Sequence, residues 1–349
     1  MNQKKTGIVK DERYLNHFPG FGHVESPERL KAIYARLDEE DATGLYRTIE
    51  PMPASMKELE WNHTRKYVER IKATDGKELA HLDPDTSTSK DSWQAAILAA
   101  GGILKAMELI HNGEIKNAIA LVRPPGHHAE RDKAMGFCLF NNVAIGAYYA
   151  KNVLGLKRIL IVDWDLHHGN GTQNSFYEDK EVLYISTHQF PHYPGTGRLD
   201  QTGTGHGVGY TVNIPLYPGA GDEVYAAIFR RIIIPIAKAY SPEFILVSAG
   251  FDTYYQDPLG GMRCTEKGFA YFTRCLLDIA EECCQGRAIF CLEGGYSLKG
   301  LRDGVYSMLR ECAGESILTN KELGAFDNAD PDPEMIENIL RVQQKFWPV

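Results

Sequence analysis

Residues 158–173 read RILIVDWDLHHGNGTQ, and this stretch indicates the fold. The apolar run Ile159–Val162 is short and continuous, as in a strand that is covered on both faces of a sheet. It leads directly into Asp163, Asp165 and His167 and then into two glycines. Strands with polar and glycine-rich exits are typical of parallel α/β sheets, in which ligands bind beyond the carboxyl ends of the strands.

Five other short apolar runs predict further strands, namely Ala118–Val122, Val182–Ser186, Thr211–Pro215, Phe244–Ser248 and Ala288–Leu292. Segments with helical periodicity separate them, and these are Ser26–Leu37, Trp93–His111, Asn142–Asn152, Glu223–Ala239, Lys267–Cys284 and Leu298–Cys312. Strands that alternate with helices predict an α/β fold with a mostly parallel central sheet, flanked by helices on both faces.

The domain organisation follows from the even composition of the chain. We find no internal repeat, low-complexity run or linker, so residues 1–349 are predicted to form one domain. The C-terminal segment, residues 327–349, combines an acidic, proline-containing stretch with an amphipathic one. We expect it to cap the sheet or to contact another subunit of a homo-oligomer, and the sequence favours neither.

Composition excludes several classes of protein. With 43% hydrophobic and 24% charged residues the chain is globular, and its net charge of −8 lacks the basic excess of a general nucleic-acid binder. We expect no membrane partner, because we identify neither an apolar run of bilayer-spanning length nor an apolar signal core after the N-terminal lysines. Seven scattered cysteines without a CxxC pair favour reduced thiols and a cytoplasmic location.

The residues after Val162 have the spacing of metal ligands. Positions two apart share a face of an extended segment, so Asp163, Asp165 and His167 can begin on the same side. A carboxylate and an imidazole at this spacing, with a further carboxylate from another strand, would leave open positions as in a catalytic zinc site. The alternative is that an aspartate only caps a helix or pairs with a lysine. It is weakened because two carboxylates would enter a buried sheet edge without a compensating charge.

The adjacent histidines His127 and His128 follow another predicted strand. They are either ordinary hydrogen-bonded loop residues or the acid–base groups of a metal-assisted amide hydrolysis. Such a reaction needs a base for water and an acid for the leaving amine, and histidine suits both near neutral pH. A carboxylate such as Asp163, which the metal count does not require, could orient one of the imidazoles.

Six motifs resemble those of the histone deacetylase family, specifically its class II branch and the bacterial histone-deacetylase-like amidohydrolases. They are RPPGHHA at 123–129, GFCLFNN at 136–142, DWDLHHGNGTQ at 163–173, PGTG at 194–197, AGFD at 249–252 and LEGGY at 292–296. The resemblance runs from Gly22 to Ser297. It implies the arginase–deacetylase fold and zinc-dependent hydrolysis of the amide bond of an acylated amine, with N-acetyl- or N-acyl-lysine as the expected substrate.

The resemblance also implies two kinds of metal ion. One zinc ion per chain would be bound by Asp165, His167 and Asp252. A structural potassium ion beneath it would be surrounded mostly by backbone oxygens, contributed by Asp163, Asp165, His167, Ser186 and Thr187. An arginase-like pair of manganese ions is the more distant alternative within this broad fold, and it would require additional bridging aspartates.

The catalytic roles implied by the resemblance fall on a few residues. His128 would be the general base that activates water and later protonates the leaving amine, while His127, paired with Asp163, would act mainly through its charge. Asn170 would orient His128, and its amide supplies no negative charge. Tyr296 would donate its phenol to the substrate carbonyl.

The remaining substrate contacts are implied by the resemblance in the same way. Gly294 and Gly295 give the backbone freedom to bring the tyrosine that follows them inward. Phe137 and Tyr193 would be the two walls of an acyl-lysine tunnel, although the second wall is more often phenylalanine in the family. Gly136 would offer its carbonyl to the substrate amide N–H, and Asp85 would offer its carboxylate to the substrate backbone.

Two other functions stay open at the level of sequence. An acetylpolyamine amidohydrolase shares the fold and the metal site, and a catalytically weak acyl-lysine-binding protein would share the scaffold. The intact Tyr296 and histidine pair favour an active enzyme, but acyl chain length and peptide versus polyamine substrate are not determined. Arg29 matches an arginine near the family's internal cavity, or is an ordinary helix-surface charge.

Overall fold

The computed structural model of the protein describes residues 6–349. Eight strands form one sheet in the order β2-β1-β5-β10-β9-β6-β7-β8, and all neighbours in it are parallel. The strands are β1 Thr6–Val9, β2 Tyr46–Ile49, β3 Ala80–Asp83, β4 Thr86–Thr88, β5 Ala118–Ala120, β6 Ile159–Asp163, β7 Val182–Gln189, β8 Thr211–Leu216, β9 Phe244–Ala249 and β10 Ala288–Leu292. Strands β3 and β4 form a separate antiparallel hairpin.

The predicted α/β fold is confirmed, and all six predicted strands lie in the sheet. Two strands at one edge, β1 and β2, were not predicted. The second has two adjacent exposed polar residues, Arg47 and Thr48, at its centre and so contains no continuous apolar run. The first begins with threonine and glycine, so its apolar run is only the two residues Ile8 and Val9. The N-terminal stretch without an apolar signal core begins in residues 1–5, which lie outside the described residues.

Helices cover the sheet. Those of the described residues are α1 Pro27–Leu37, α2 Glu40–Thr43, α3 Met56–Leu59, α4 Arg65–Lys72, α5 Ser92–His111, α6 Asn142–Asn152, α7 Asn170–Phe176, α8 Asp222–Ile228, α9 Ile234–Tyr240, α10 Glu266–Cys284, α11 Leu298–Cys312, α12 Asn320–Asn328 and α13 Pro333–Gln343. Helices α5, α6 and α7 pack together on one face, and α1, α8, α10 and α11 pack together on the other. A π-helical turn joins α8 and α9 into the single helix that the periodicity predicts.

Helix α5 corrects one expectation from the sequence. By length and composition it is apolar enough to cross a membrane, although we identified no such run. Within the fold, 83% of that apolar window is buried, and the helix packs against β1, β5 and β10. A Cβ atom on Gly101 would lie 1.8 Å from the backbone oxygen of Met52, so glycine lets the chain pass this close. The structure therefore accounts for the apolar composition of α5 as that of a core helix.

The C-terminal segment packs on the protein itself, beside the edge strand β8. The Trp347 ring lies 5.6 Å from that of Tyr210, and its Nε1 donates a 2.9 Å hydrogen bond to the Gly209 carbonyl. Arg230 donates a hydrogen bond to the carbonyl of Ala329. These contacts fix where the segment lies, and a contact with another subunit stays a prediction.

The sheet brings the polar strand exits to one edge. In register, Asp163 at the end of β6 lies between Ser186 of β7 and Ser248 of β9. The neighbouring β10 ends at Leu292, opposite Ala249. Because the strands are parallel, the segments that follow them meet above the same edge.

Candidate active site

Three predicted metal ligands form one buried cluster. One ligand atom from each of Asp165, His167 and Asp252 lies within 4.8 Å of the others. The Nδ1 atom of His167 is 3.2 Å from Asp165 Oδ1 and 3.0 Å from Asp252 Oδ2. Backbone N–H groups fix both carboxylates, from Gly294 to Asp165 Oδ2 and from Leu166 to Asp252 Oδ1, each at 2.8 Å. The fold therefore sets the position of each ligand.

Two glycines make room for this cluster. A Cβ atom on Gly250 would lie 2.1 Å from Asp165 Oδ2, and one on Gly294 would lie 2.3 Å from Asp252 Oδ2. No larger residue fits beside the carboxylates without displacing them. Two carboxylates and one imidazole are a donor set that zinc accepts while keeping an open position for substrate. The residues present fit a zinc ion.

The cluster carries an excess of negative charge. Burial raises the pKa of Asp252 to about 7, and the charge of Asp165 adds to the effect. For His167 burial opposes protonation, but hydrogen bonds with the two carboxylates outweigh it and raise its pKa to about 10. Both shifts indicate buried carboxylates whose negative charge a bound cation would stabilise.

The histidine pair has the two partners that were predicted for it. His128 Nδ1 lies 2.8 Å from Asn170 Oδ1, and His127 Nδ1 lies 3.1 Å from Asp163 Oδ2. The two imidazole rings are 4.0 Å apart and both are buried. Each ring is thus oriented by a different kind of acceptor, a neutral amide for one and a carboxylate for the other.

The two histidines differ in charge although they are neighbours in the chain. Burial lowers the pKa of His128 well below its usual value, and the positive charges of His127 and His167 lower it further. Burial also disfavours the charged form of His127, but the carboxylates of Asp165 and Asp163 outweigh it and raise its pKa to about 10. At neutral pH His128 is therefore able to take a proton, and His127 is a fixed positive charge.

A cavity of about 220 Å³ leads to these groups. The predicted tunnel walls, Phe137 and Tyr193, both line it, as do Asp85, Gly136, Gly294 and Tyr296. The Tyr193 ring meets the ring of His128 edge-on at 5.1 Å. Phe137 has a φ of 67°, which non-glycine residues rarely adopt. The structure thus brings the predicted substrate contacts together in the cavity wall, except Gly295, which does not line it.

Hydrogen bonds from the hairpin β3–β4 fix one wall of the cavity. Asp85 Oδ1 accepts from the N–H of Gly136 at 3.0 Å, and Thr86 Oγ1 accepts from the N–H of Phe137 at 3.0 Å. A Cβ atom on Gly136 would lie 2.3 Å from the His128 ring, so glycine is required there. The Asp85 carboxylate therefore lies at the rim of the cavity, and its hydrogen bond with Gly136 fixes its position.

Tyr296 is held by its backbone and by a neighbouring guanidinium. Its N–H donates to Asp257 Oδ2 at 2.6 Å, and Arg29 lies 5.1 Å from its ring centroid. The φ of Gly295 is +114°, which favours glycine before the tyrosine. Burial raises the pKa of Tyr296 well above its usual value, so the phenol keeps its proton and can donate it in a hydrogen bond at neutral pH.

The residues predicted to surround potassium also lie together. Asp163, Ser186 and Thr187 are fully buried, and Asp163 and Ser186 are partners in the sheet register. Thr187 Oγ1 lies 3.5 Å from the backbone oxygen of Asp163. Asp165 and His167 follow directly on the chain, so the five residues occupy one region below the metal cluster.

Glu293 is a site residue that sequence reasoning missed. Its Oε2 accepts hydrogen bonds from the N–H groups of Gly126 and His127, at 2.6 and 3.1 Å, and Ser248 donates to its Oε1. Burial raises its pKa to about 7. The signal was present, because Glu293 directly follows an apolar strand as Asp163 does.

Arg29 is buried, so its interpretation as a helix-surface charge is wrong. Its guanidinium donates to Gly295 O at 2.6 Å, to Glu293 O at 2.5 Å and to Glu25 Oε1 at 3.0 Å. The other oxygen of Glu25 accepts from Arg123 at 2.8 Å. This buried network ties α1 to the loop before Tyr296. Two further residues that line the cavity are His192 and Leu259.

The site combines a proton acceptor with a buried cluster of metal-binding groups, and an aromatic cavity leads to both. This combination is typical of a hydrolase. The comparisons with known proteins identify the kind of hydrolase. Residues 23–312 match the histone deacetylase domain. A probable deacetylase of Archaeoglobus fulgidus is 44% identical over 357 residues, which cover 98% of each chain. The chain belongs to the histone deacetylase family and is a deacetylase.

Plant and yeast relatives are longer than this chain. Histone deacetylase 15 of Arabidopsis thaliana is 38% identical over 98% of this chain and 63% of its own length. Histone deacetylase HDA1 of Saccharomyces cerevisiae is 36% identical over 98% of this chain and 53% of its own length. The crystal structure of the HDA15 HD domain matches with a TM-score of 0.90 at 38% identity, covering 99% of this chain and 96% of that domain. The arginase–deacetylase fold is thereby confirmed.

Proposed function

We propose that this protein hydrolyses the amide bond of N-acyl-lysine, above all N-acetyl-lysine, with one zinc ion bound by Asp165, His167 and Asp252. The products are the carboxylic acid and the free amine. The observation that carries the proposal is the meeting of three ligand atoms within 4.8 Å beside the same aromatic cavity that His128 and Tyr296 line. The family is generally zinc-dependent, which supports the choice of metal.

His128 and His127 have different roles in the proposed reaction. A zinc ion in such a site supplies a Lewis acid that polarises the carbonyl and makes water more acidic. Neutral His128 takes a proton from the attacking water and returns it to the leaving nitrogen. The positive charge of His127, held by Asp163, offsets the negative charge that develops beside it.

Tyr296 acts on the carbonyl oxygen of the substrate. Its protonated phenol donates a hydrogen bond that strengthens as the oxygen becomes negatively charged. A preorganised donor of this kind contributes about 3–4 kcal/mol to transition-state stabilisation. The hydrogen bond from its N–H to Asp257 and the contact with Arg29 hold the tyrosine in place before substrate enters.

The cavity suits an acylated lysine side chain. The rings of Phe137 and Tyr193 offer apolar walls for four methylene groups, and the Gly136 carbonyl would accept the hydrogen bond of the substrate amide N–H. Of the residues that line the cavity only Asp85 is acidic, and it already accepts a hydrogen bond from Gly136. Leu259, which also lines the cavity, is apolar and does not favour the second ammonium of a polyamine.

A potassium ion completes the proposal. It would lie among the buried residues below the zinc ligands and hold the segment after β6 in position through backbone oxygens. Support comes from the packing of β6 against β7, which places Asp163 beside Ser186 and Thr187. Its role is structural, because none of these residues lines the cavity except His167.

The proposal is tested by initial rates of the purified protein on acetyl-lysine peptides, longer acyl-lysine peptides and acetylpolyamines. We expect the highest kcat/KM on acetyl-lysine peptides. The variant Tyr296→Phe should lose about 10²–10³-fold in kcat with little change in KM. Near-full activity of this variant would refute the role of the phenol. A preference for polyamines would refute lysine as the substrate, and binding without turnover would reduce the chain to an acyl-lysine-binding protein.

A further inference from the structure

An apolar patch lies on the surface in residues 18–24, FPGFGHV, which we call the aromatic loop. The Phe21 side chain is 99% exposed, and Phe18 and Val24 beside it are 37% and 38% exposed. The rings of Phe18 and Phe21 meet edge-on at 5.3 Å. Single exposed apolar residues are common, but a contiguous group that includes a fully exposed phenylalanine indicates a binding surface.

The conformation of the aromatic loop is fixed by its backbone. Gly20 and Gly22 have φ angles of +136° and +73°, values that favour glycine and that form the turn carrying Phe21. The N–H of Phe18 donates a 3.0 Å hydrogen bond to Ser89 Oγ. At the other end the N–H of Glu25 donates to the His23 ring at 3.2 Å. The chain therefore holds the phenylalanine in solvent instead of folding it inward.

The aromatic loop is continuous with the mouth of the cavity. The His23 ring packs edge-on against the Phe137 wall, with centroids 4.7 Å apart. Next to that wall, Gly136 donates its N–H to the rim carboxylate of Asp85. An extended peptide advances about 3.3 Å per residue. A side chain two or three positions from the acyl-lysine lies roughly 7–10 Å further along the substrate, so a chain that leaves the cavity past Phe137 would run onto the aromatic loop.

We propose that Phe18, Phe21 and Val24 bind an apolar side chain of the substrate polypeptide, two or three positions from the acyl-lysine. The inference rests on the proposed function and narrows it, because it makes protein segments with a flanking apolar residue the preferred substrates. Acylated small amines end at the mouth of the cavity and do not reach the patch.

Two other occupants fit the patch less well. A stable interface with a second copy buries about 800 Å² on each partner, more than the exposed surface of these three side chains provides. Binding to an anionic membrane surface draws on lysine and arginine, and residues 18–24 contain neither. A substrate peptide is already held by its acyl-lysine in the cavity, so one small apolar contact with the adjacent aromatic loop is enough to favour it.

The test compares two acetyl-lysine peptides that differ at one position, with leucine or serine two residues from the acetyl-lysine. A second pair varies the third position, and both sides of the lysine are covered. We expect wild type to prefer leucine on one side about three- to tenfold in kcat/KM, through a lower KM. In Phe21→Ser the preference should vanish while kcat/KM on a small acetyl-lysine reporter is unchanged. Substitution of so exposed a side chain leaves the fold intact.

A matched control is Val153→Ser, since Val153 is 54% exposed and follows the end of α6 that lies away from the site. It should keep the wild-type preference. The proposal is overturned if wild type shows no leucine preference within three positions, or if Phe21→Ser retains it. It is also overturned if Phe21→Ser lowers the mass in sedimentation and so assigns the patch to a second copy. No turnover of the reporter by wild type would instead refute the proposed function, and this inference with it.

Discussion

The floor and the mouth of the cavity are built in opposite ways. At the floor, Asp165 and Asp252 are fully buried and receive hydrogen bonds from backbone N–H groups at the ends of parallel strands. At the mouth, half-buried Phe137, Tyr193 and Leu259 come from separate loops. The difference teaches that the sheet fixes the chemistry and the loops fix recognition. Changes at the floor should therefore lower kcat, and changes at the mouth should raise KM.

The largest effect is expected from Asp252→Asn. The amide is a much weaker ligand than the carboxylate, so zinc should be lost along with the several kcal/mol that such a metal supplies. We expect kcat/KM to fall on the order of 10⁴-fold, at 1.36 kcal/mol for each factor of ten. Metal content by mass spectrometry and initial rates check this. The surface change Asp200→Asn is the matched control. Equal zinc content in both variants would show that Asp252 is not a zinc ligand.

The next effect separates the two histidines within the floor. Glutamine keeps a hydrogen bond but accepts no proton, so His128→Gln should lower kcat about 10³-fold. His127→Gln removes only a nearby charge and should cost much less, about tenfold. Single-turnover rates on an acetyl-lysine peptide measure both. Equal losses in the two variants would contradict the opposite pKa directions on which their roles depend.

At the mouth, Asp85→Asn tests recognition alone. Loss of the charge weakens hydrogen bonds to the substrate backbone, so KM for an acetyl-lysine peptide should rise about tenfold while kcat stays within about twofold. The control is Asp83→Asn in the same hairpin, where the carboxylate pairs with Lys133 at 3.1 Å and lies outside the cavity wall. A large loss of kcat in Asp85→Asn would break the division between floor and mouth.

The smallest effect is a shift of the pH profile in Asn170→Asp. Burial and the positive charge of His127 hold the pKa of His128 below its usual value, and a general base must be neutral to act. A carboxylate at position 170 stabilises the protonated form and raises this pKa. The acid limb of kcat/KM should then move to higher pH by about one unit, with activity lost on the acid side only. An unchanged limb, or one that moves to lower pH, would show that His128 is not the base.

The floor could be predicted from sequence because its residues follow buried strands directly. Asp163, Asp165 and His167 continue one apolar run, and parallel pairing places Asp252 at the same edge. Periodicity alone could not assign roles, since those depended on the resemblance to a known family. The pKa difference between His127 and His128 requires the three-dimensional arrangement of the carboxylates around them.

The mouth was less predictable because its parts are far apart in the chain. Nothing local to Leu259 marks it as a wall residue, and only the fold brings it beside Phe137. The role of Arg29 was ambiguous for the same reason, because its hydrogen-bond partners Glu293 and Gly295 are more than 260 residues away in the chain. The edge strand β2 escaped notice because half of it is exposed. Location in the cell and oligomeric state stay predictions.

The central claim is that one zinc ion at Asp165, His167 and Asp252 makes this chain an acyl-lysine hydrolase. The most direct measurement removes metal with a chelator and adds zinc back while acetate release from an acetyl-lysine peptide is followed. The account predicts no turnover without metal and activity that rises linearly to a plateau at one zinc per chain. Full turnover by the metal-free protein, or activity that requires two manganese ions per chain, would contradict it.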